Sequence, residues 1–454
     1  MSSDRTQPER VGIVGGGPGG LFTAYRLQCW SDRALEIVLL EAGERLGGKV
    51  QTERFSAAPV LYEVGAAELY DVSPVDEDPL RDLVHELGLP VTSMAGQAVE
   101  QGGQLIANLD DLEGALGTPA REALERFDGR ARDRMAPRQF YDSDLAESFH
   151  DETERGRFAT WMAGLEDPLA RRYLATLIHS DLATEPESTN LRYGLQNYLM
   201  NDARYMLLYS IDGGNERLIE ELVRRVRAEV RFGARAEHIT ALADGRTRIE
   251  IEGGDSLEVD HAVLALPQPQ LAQLGFTGAE LPAAMASHLE HHDHPADYLR
   301  VTILFERPFW KGILHESFLM LEAFGGCCLY DESSRMADPR HGVLGWLLGG
   351  DAAREHAALD DEALVAAALD SLPPSLAHGR EQVLEARVHR WIGAVSALPG
   401  GRQPRPIDRR HQPSPVDAPR LHLVGDYLYD STLNGVLEGA EAVARHIASD
   451  LAAR

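Results

Sequence analysis

Cysteine is nearly missing from this chain: among 454 residues only Cys29, Cys327 and Cys328 occur. So odd and sparse a set builds no disulfide framework and fits the reduced thiols of a cytosolic protein. The adjacent pair Cys327 and Cys328 reads as buried filler. Long apolar runs are missing too, none approaching the ~20 residues that span a bilayer. The polar segment Met1 to Arg10 shows no basic stretch followed by an apolar one. The expectation is therefore a cytoplasmic protein with no membrane partner. Positive charge is scarce: Lys+Arg total 44 against Asp+Glu 72, a formal net charge of −28. Such a surface repels phosphate backbones and excludes nucleic acid as a partner. Lysine is the rare cation, present only as Lys49 and Lys311.

What is present is a hydrophobic content of 44% and a length greater than one compact core usually serves. Two or more intertwined domains with a large buried interior are expected. Val11 to Val14 is a short apolar run, followed by the glycine-rich stretch Gly15 to Gly20 and a helical pattern from Leu21 to Leu27. A second apolar strand, Glu36 to Leu40, ends on Glu41 and completes a βαβ unit, which implies a right-handed crossover and a parallel sheet. From Pro74 to about Asp212 the texture is polar and helix-like. Strand-like alternation returns over Ala228 to Ile251 and at His261 to Leu266, where Pro267 stops it. Tyr298 to Phe305 and Gly342 to Leu348 read as strands of a second sheet. After a Pro-rich stretch, Pro404 to Pro419, come a strand at Leu421 to Val424 and a terminal helix from Asn434 to Ala452.

The pattern Gly15-x-Gly17-x-x-Gly20 follows a strand and opens a helix, with Glu41 about 20 residues further on, which is the context a dinucleotide-binding turn requires. Gly15 permits the tight turn. Gly17 lets backbone amides approach a pyrophosphate, with Pro18 and Gly19 beside it, and Gly20 lets helix and strand pack closely. The helix N-terminus stabilises the anion, and Glu41 can accept hydrogen bonds from ribose hydroxyls.

Glu41-Ala-Gly-Glu-Arg-Leu-Gly-Gly-Lys-Val-Gln-Thr52 resembles the corresponding stretch of the flavin-containing amine oxidase family, which includes monoamine, polyamine and L-amino-acid oxidases. The family's usual last arginine is here Lys49. The resemblance continues in family order. Tyr62 to Ala67 is similar to the segment beneath the flavin, and Gly213 to Leu218 to a helix-opening turn. Arg231 to Ile239 is similar to the strand pair touching adenine, and Ala262 to Pro267 to the strand returning to the cofactor domain. Tyr298 to Trp310 is similar to a second-sheet strand ending in Phe-Trp, and Leu423 to Asp426 with Gly435 to Ala444 to the C-terminal flavin segment.

That resemblance implies FAD as cofactor, held by Gly15, Gly17, Pro18, Gly19, Gly20, Glu41, Ala42, Arg45, Gly47, Gly48, Lys49, Val64, Gly65, Ala66, Ala236, Gly425, Asp426, Asn434, Gly435 and Val436. It implies an α/β fold: a Rossmann-type, GR2-like FAD-binding domain interleaved with an α+β substrate domain containing a mixed sheet. The expected division assigns 1–70, 212–266 and 416–454 to the FAD domain. Residues 71–211 and 267–415 form the substrate domain, with a helical segment at 110–205.

On the cofactor side Ala236 stands where valine is usual and Asp426 where glutamate is usual, and three positions on the substrate side also depart from the family. Arg300 stands where a lysine commonly holds a water near flavin N5, and no other lysine can substitute. Arg300 either preserves a positive charge near the flavin or marks a changed reaction, since arginine stays charged where lysine can be tuned. Glu68 stands where amino-acid oxidases place a carboxylate-clamping arginine. It either attracts a cationic substrate or is a structural carboxylate paired with an arginine, and an amino-acid carboxylate would then fall to Arg300. Tyr330 aligns with one of two aromatics that flank the substrate, while the second falls near Ser431, with Tyr427 and Tyr429 close by.

The cluster His288, His291, His292, Asp293 and His294 lacks the distant ligand that catalytic zinc draws upon, so it reads as a solvated or substrate-lining loop and no metal is assigned. His294 is expected to titrate near neutral pH. The catalytic candidates are thus Arg300, Tyr330 and Glu68. The expected reaction oxidises the C–N bond of an amine or L-amino acid by hydride transfer to flavin N5. It gives an imine, then carbonyl and ammonia, with molecular oxygen reduced to H2O2. The alternative is an FAD-dependent desaturase or isomerase of the same fold that reacts little with oxygen. A homodimer is among the assemblies this reading allows.

Overall fold

The computed structural model describes residues 8–96, 98–141, 158–314, 316–335, 340–397, 405–429 and 431–453. Five parallel strands form its first sheet, in the spatial order Glu229–Arg231, Leu35–Leu40, Glu9–Val14, His261–Leu264 and Leu421–Leu423. The last four residues of Glu9–Val14 and of Leu35–Leu40 are buried in succession, as expected of strands covered on both faces. One face packs on the helices Pro18–Trp30 and Leu433–Ala452, through Leu21, Phe22 and Leu27 against Leu437, Ala440 and Ile447. The other packs on a four-stranded sheet formed by Ser256–Val259, Thr247–Ile251, Ala236–Ala241 and Gly275–Thr277.

A seven-stranded mixed sheet forms the other half: Val383–Ser396, Pro295–Phe305, Gly342–Gly349, Cys327–Asp331, Phe318–Leu321, Val99–Gln101 and Gln104–Ile106. Its pairings are antiparallel except between Phe318–Leu321 and Val99–Gln101. Alternation along the strands sorts side chains by chemistry. In Cys327–Asp331, Cys328 and Tyr330 join the core shared with the helices Thr118–Arg134, Pro168–Leu182 and Leu191–Leu199, whereas Cys327 and Leu329 face the opposite core with Trp310 and Trp346. In Pro295–Phe305, Leu299, Val301 and Ile303 enter that second core, which leaves Tyr298 and Arg300 on the opposite side.

Two expectations are corrected. The polar region before Asp212 also holds strands: Val91–Met94 and Leu207–Ile211 pair with each other, and the latter pairs with Leu69–Asp71. The histidine cluster is not a loop throughout, because His288 and His291 belong to the helix Leu281–His291, with Pro282 in its first turn and Leu281, Met285 and His288 on its buried face.

Candidate active site

At the end of the first strand Gly15 takes a φ of +106°, and a Cβ there would lie 2.3 Å from the Ala265 carbonyl oxygen. A Cβ on Gly20 would lie 2.0 Å from the Gly15 carbonyl oxygen, so only glycine allows the turn and helix to approach this closely. Gly17 is the N-cap of Pro18–Trp30, with no side chain capping the helix and no acidic residue in its first turn. A Cβ on Gly17 would meet only the Gly48 Cα, at 3.9 Å. The helix therefore presents uncapped N–H groups towards open space, a ready site for a phosphate.

The Glu41 carboxylate accepts from Gly16 N at 2.9 Å and Gly43 N at 2.7 Å, which holds it beside the turn. The second glycine pair is stitched to the first by Gly47 N donating to Gly16 O at 2.8 Å. Lys49 donates from Nζ to Asp426 Oδ2 and to Ala394 O, each at 2.5 Å, and so ties this loop to the C-terminal segment. Arg45 donates to Gln51 Oε1 at 2.7 Å and to the Gly48 carbonyl.

These groups open onto one cavity of about 820 Å³. Its wall includes Gly15, Gly17, Pro18, Gly19, Glu41, Ala42, Arg45, Gly48, Lys49, Gly65, Ala66, Ala236, Gly425, Asp426, Asn434 and Val436. Glu68, Tyr330 and Arg300 line the same cavity. Gly20, Gly47, Val64 and Gly435 stand behind that wall. The Gly435 N–H is spent on capping its own helix, bonded to Thr432 Oγ1 at 3.0 Å, and Val64 offers its carbonyl to Trp391 Nε1 at 2.8 Å. The uncapped helix, glycine backbone and anchored acidic group fit an extended dinucleotide along one side of the cavity, with Ala234 to Glu237 available to its adenine end.

On the other side the geometry is made by side chains. Tyr330 donates from its hydroxyl to Glu68 Oε2 at 3.0 Å. Burial pushes the Glu68 carboxyl up, opposed by that hydrogen bond and by the positive charges of Arg335 and Arg300. Burial, with the nearby Cys328, Glu68 and Asp181, also lifts the Tyr330 phenol far above its usual range, which keeps it a hydrogen-bond donor. Arg300 is 1% exposed, and its Nη2 pairs with Glu332 Oε1. Glu332 Oε2 in turn accepts from Glu63 N at 3.0 Å. Arg300 Nε and Nη1 have no partner among the described residues. Its guanidinium carbon lies 5.4 Å from the centre of the Tyr330 ring. Glu63, 3% exposed, accepts from Asn215 N and Thr52 Oγ1, and burial raises its carboxyl to about 7.

Several groups in or beside the site lay outside the expectations. Trp391, Tyr298 and Tyr70 line the cavity. Tyr298 was recoverable from strand alternation with Arg300, but Trp391 and Glu332 have their roles only through tertiary pairing. Asp181 lines an adjoining cavity of about 470 Å³ that shares Tyr70, Tyr298, Val395, Ser431, Thr432 and Asn434 with the first. Ser431 has a φ of +64°, and its Oγ accepts from Ser396 N at 3.0 Å. Tyr427 and Tyr429 line the adjoining cavity, as do His291, His292 and His294. His288 and His292 are buried, and desolvation lowers them to about 3 and about 2, so their rings are neutral. Among the described residues no three His, Cys, Asp or Glu side chains converge as a metal ion would need, and no helix is long and apolar enough to cross a membrane.

The parallel sheet, the uncapped glycine turn and the cavity beneath it define a dinucleotide-binding fold. The profile of the flavin-containing amine oxidoreductase family matches residues 18–448, and the chain belongs to that family. The family match makes the chain an FAD-dependent oxidoreductase. It is 22% identical to a probable polyamine oxidase of Arabidopsis thaliana over 374 residues, covering 80% of this chain and 70% of the relative. It is also 22% identical to a flavin-dependent L-tryptophan oxidase of Lentzea aerocolonigenes, covering 97% of this chain and 98% of that one. Its fold is that of cyclohexylamine oxidase from Brevibacterium oxydans, with a TM-score of 0.75 at 19% identity over 98% of this chain and 100% of the other.

Proposed function

We propose that this flavoenzyme oxidises the C–N bond of an amine drawn into the cavity as a cation, with molecular oxygen as electron acceptor and hydrogen peroxide as second product. The observation that carries this reading is Glu68, a carboxyl group inside the cavity held by Tyr330 rather than by an arginine ion pair. FAD, when bound, supplies the acceptor for the hydride leaving the carbon that bears nitrogen. The chain supplies the rest. Tyr330 fixes Glu68 Oε2, leaving Oε1 to take a proton from an incoming ammonium, so that the nitrogen lone pair is free. Tyr298, Tyr330 and Trp391 offer aromatic surface along the cavity for the substrate's apolar body.

A second reading, an L-amino acid, is favoured by one observation: two buried nitrogens of Arg300, Nε and Nη1, are unpartnered among the described residues and could hold a carboxylate. A panel of amines and L-amino acids, assayed aerobically with peroxide detection, separates the two. Amines turning over, with amino acids silent, supports the first reading; the reverse supports the second. Silence across both panels in FAD-loaded protein, with slow reoxidation of photoreduced enzyme by oxygen, would replace both with a desaturase or isomerase.

A further inference from the structure

His179 stands in the last turn of the helix Pro168–Leu182 and is 5% exposed. Each of its ring nitrogens faces an acceptor. Nδ1 lies 3.0 Å from the Gly326 carbonyl oxygen, in the turn between the strands Phe318–Leu321 and Cys327–Asp331, and Nε2 lies 2.9 Å from Glu185 Oε1. A neutral imidazole carries one N–H and can serve only one of them; the imidazolium serves both.

Backbone closes tightly around this pair. A Cβ on Gly326 would lie 2.9 Å from the His179 Cβ, and one on Gly350 would lie 2.5 Å from Glu185 Oε1 and 3.3 Å from His179 Nε2. Glu185 Oε1 also accepts from Asp351 N at 3.0 Å, in the first turn of the helix Gly350–His356. Burial opposes the charged form of His179, but the hydrogen bond and charge of Glu185, the Gly326 carbonyl and Asp351 outweigh it and raise the imidazole above its ordinary value of 6.5. The other ionisable groups on the elements packed here are engaged elsewhere or line the surface. Arg354 donates to Asp351 and Asp297, and His356 is held to the Ala352 carbonyl. Glu322 pairs with Arg172, and Cys327 faces the opposite core. Arg171, Arg172 and Glu187 stand around an outer cleft of about 510 Å³ that His179 and Glu185 also line.

The end of the same helix reaches the adjoining cavity, which Asp181 and Ala183 line. The Ala183 carbonyl accepts from Asp297 N at 3.2 Å, and Asp297 Oδ2 accepts from Arg354 Nη2 at 2.9 Å. Tyr298, the next residue, stands in the wall shared by the two cavities. A continuous run of bonds thus leads from the imidazole through Glu185, Asp351, Arg354 and Asp297 to that wall.

We infer that His179 is a pH-sensitive positioning residue: as the imidazolium it fastens the end of its helix and the wall of the adjoining cavity, and on losing its proton it releases both. The stability contributed by its charge is fully present below pH 6.5 and is lost as pH rises through the higher value of the folded protein. Loosening of the wall is therefore an alkaline event.

The test uses FAD-loaded enzyme, and its first arm needs no substrate. In protein labelled at histidine Cε1, the resonance missing from His179→Gln titrates with a midpoint above 6.5 in the wild type, and Glu185→Gln lowers that midpoint by about one pH unit or more. Amide exchange of residues 176–184 and 295–299, corrected for the intrinsic effect of pH, rises several-fold from about pH 6 to about pH 9, while the helix Pro18–Trp30 stays protected. In His179→Gln the same segments exchange fast at both pH values. The second arm compares KM for an n-alkylamine, with kcat nearly the same in the two proteins. His179→Gln exceeds the wild type by about threefold near pH 6, and the ratio falls to about one near pH 9.

A midpoint at or below 6.5, wild-type exchange that does not change with pH, or a KM ratio equal at both pH values would overturn the inference. Absence of turnover on every amine defeats the C–N oxidation proposed above and leaves the first arm to decide the role of His179.

Discussion

The two walls of the large cavity are built by different means. The cofactor wall is largely backbone: Gly15, Gly17 and Gly48 come from the first 50 residues and present main chain where any side chain would intrude, while Asp426 and Asn434 close it from the C-terminus. The opposite wall is made of side chains. Glu68, Tyr298, Arg300, Tyr330 and Trp391 arrive from four separate segments and are positioned by buried partners such as Glu332 and Val64. Backbone sites depend on local conformation, and at Gly15 and Gly20 they leave no room for a Cβ. Side-chain sites depend on pairing across the fold, and their failures are electrostatic.

The largest expected effect lies on the side-chain wall. Glu332→Gln keeps the volume but leaves the buried Arg300 guanidinium without its counter-charge, and should cost about 3–5 kcal/mol in denaturant unfolding. The double variant Arg300→Met with Glu332→Leu should recover most of that loss. A single variant as stable as wild type would show that the pair does not hold the wall.

Next comes Glu63, whose carboxyl is raised to about 7 by burial first and by Glu332 in addition, against the ordinary value of 4.5. The folded protein binds a proton there that the unfolded chain releases, so its stability is fully present below pH 4.5 and declines as pH rises through 7. The shift corresponds to at most about 3 kcal/mol. Glu63→Gln cannot titrate, and its unfolding free energy should gain on wild type by up to that amount between pH 4.5 and 8. Parallel pH profiles would assign the decline to other groups.

Directly behind the cofactor wall, Gly20→Ala places a Cβ 2.0 Å from the Gly15 carbonyl oxygen. The turn must shift, at about 1–3 kcal/mol of stability. The sharper readout is the flavin-to-protein absorbance ratio of purified protein, which should fall steeply here and stay near wild type in Glu63→Gln. Equal flavin loss in both would erase the distinction between the walls.

The same contrast explains what could be read from the amino-acid order. The strand, the glycine turn, the helix and Glu41 lie within 41 residues, and each constrains the next through local geometry, so this part of the fold and site was legible. Glu68, Arg300 and Tyr330 were found through motif order, and their meeting in one cavity follows strand alternation. Asp181, which lines the adjoining cavity, was not legible, because a lone acidic residue near a helix end belongs to no local motif. The strands Val91–Met94 and Leu207–Ile211 were hidden for a related reason. They are short, mixed in polarity, and stabilised by partners distant in sequence.

The smallest expected effect probes a single hydroxyl. Tyr330→Phe removes the donor to Glu68 Oε2 and keeps the ring packed in the same core. Folding stability should change by about 1 kcal/mol, since one hydrogen bond is lost. The informative change is in the pH profile. Burial raises the Glu68 carboxyl, and the Tyr330 hydrogen bond is the first of the effects that pull it back down. Removing the hydroxyl therefore leaves Glu68 protonated to higher pH. If the Glu68 carboxylate must be ionised to receive an ammonium, the acidic limb of kcat/KM moves upward by about one pH unit, the equivalent of about 1.4 kcal/mol. Flavin content should not change, because Tyr330 contributes nothing to the backbone cradle. An acidic limb that stays in place, in a variant of unchanged flavin content, would mean that Glu68 does not set the protonation state of the substrate, and the side-chain wall would then act by shape and bulk charge alone.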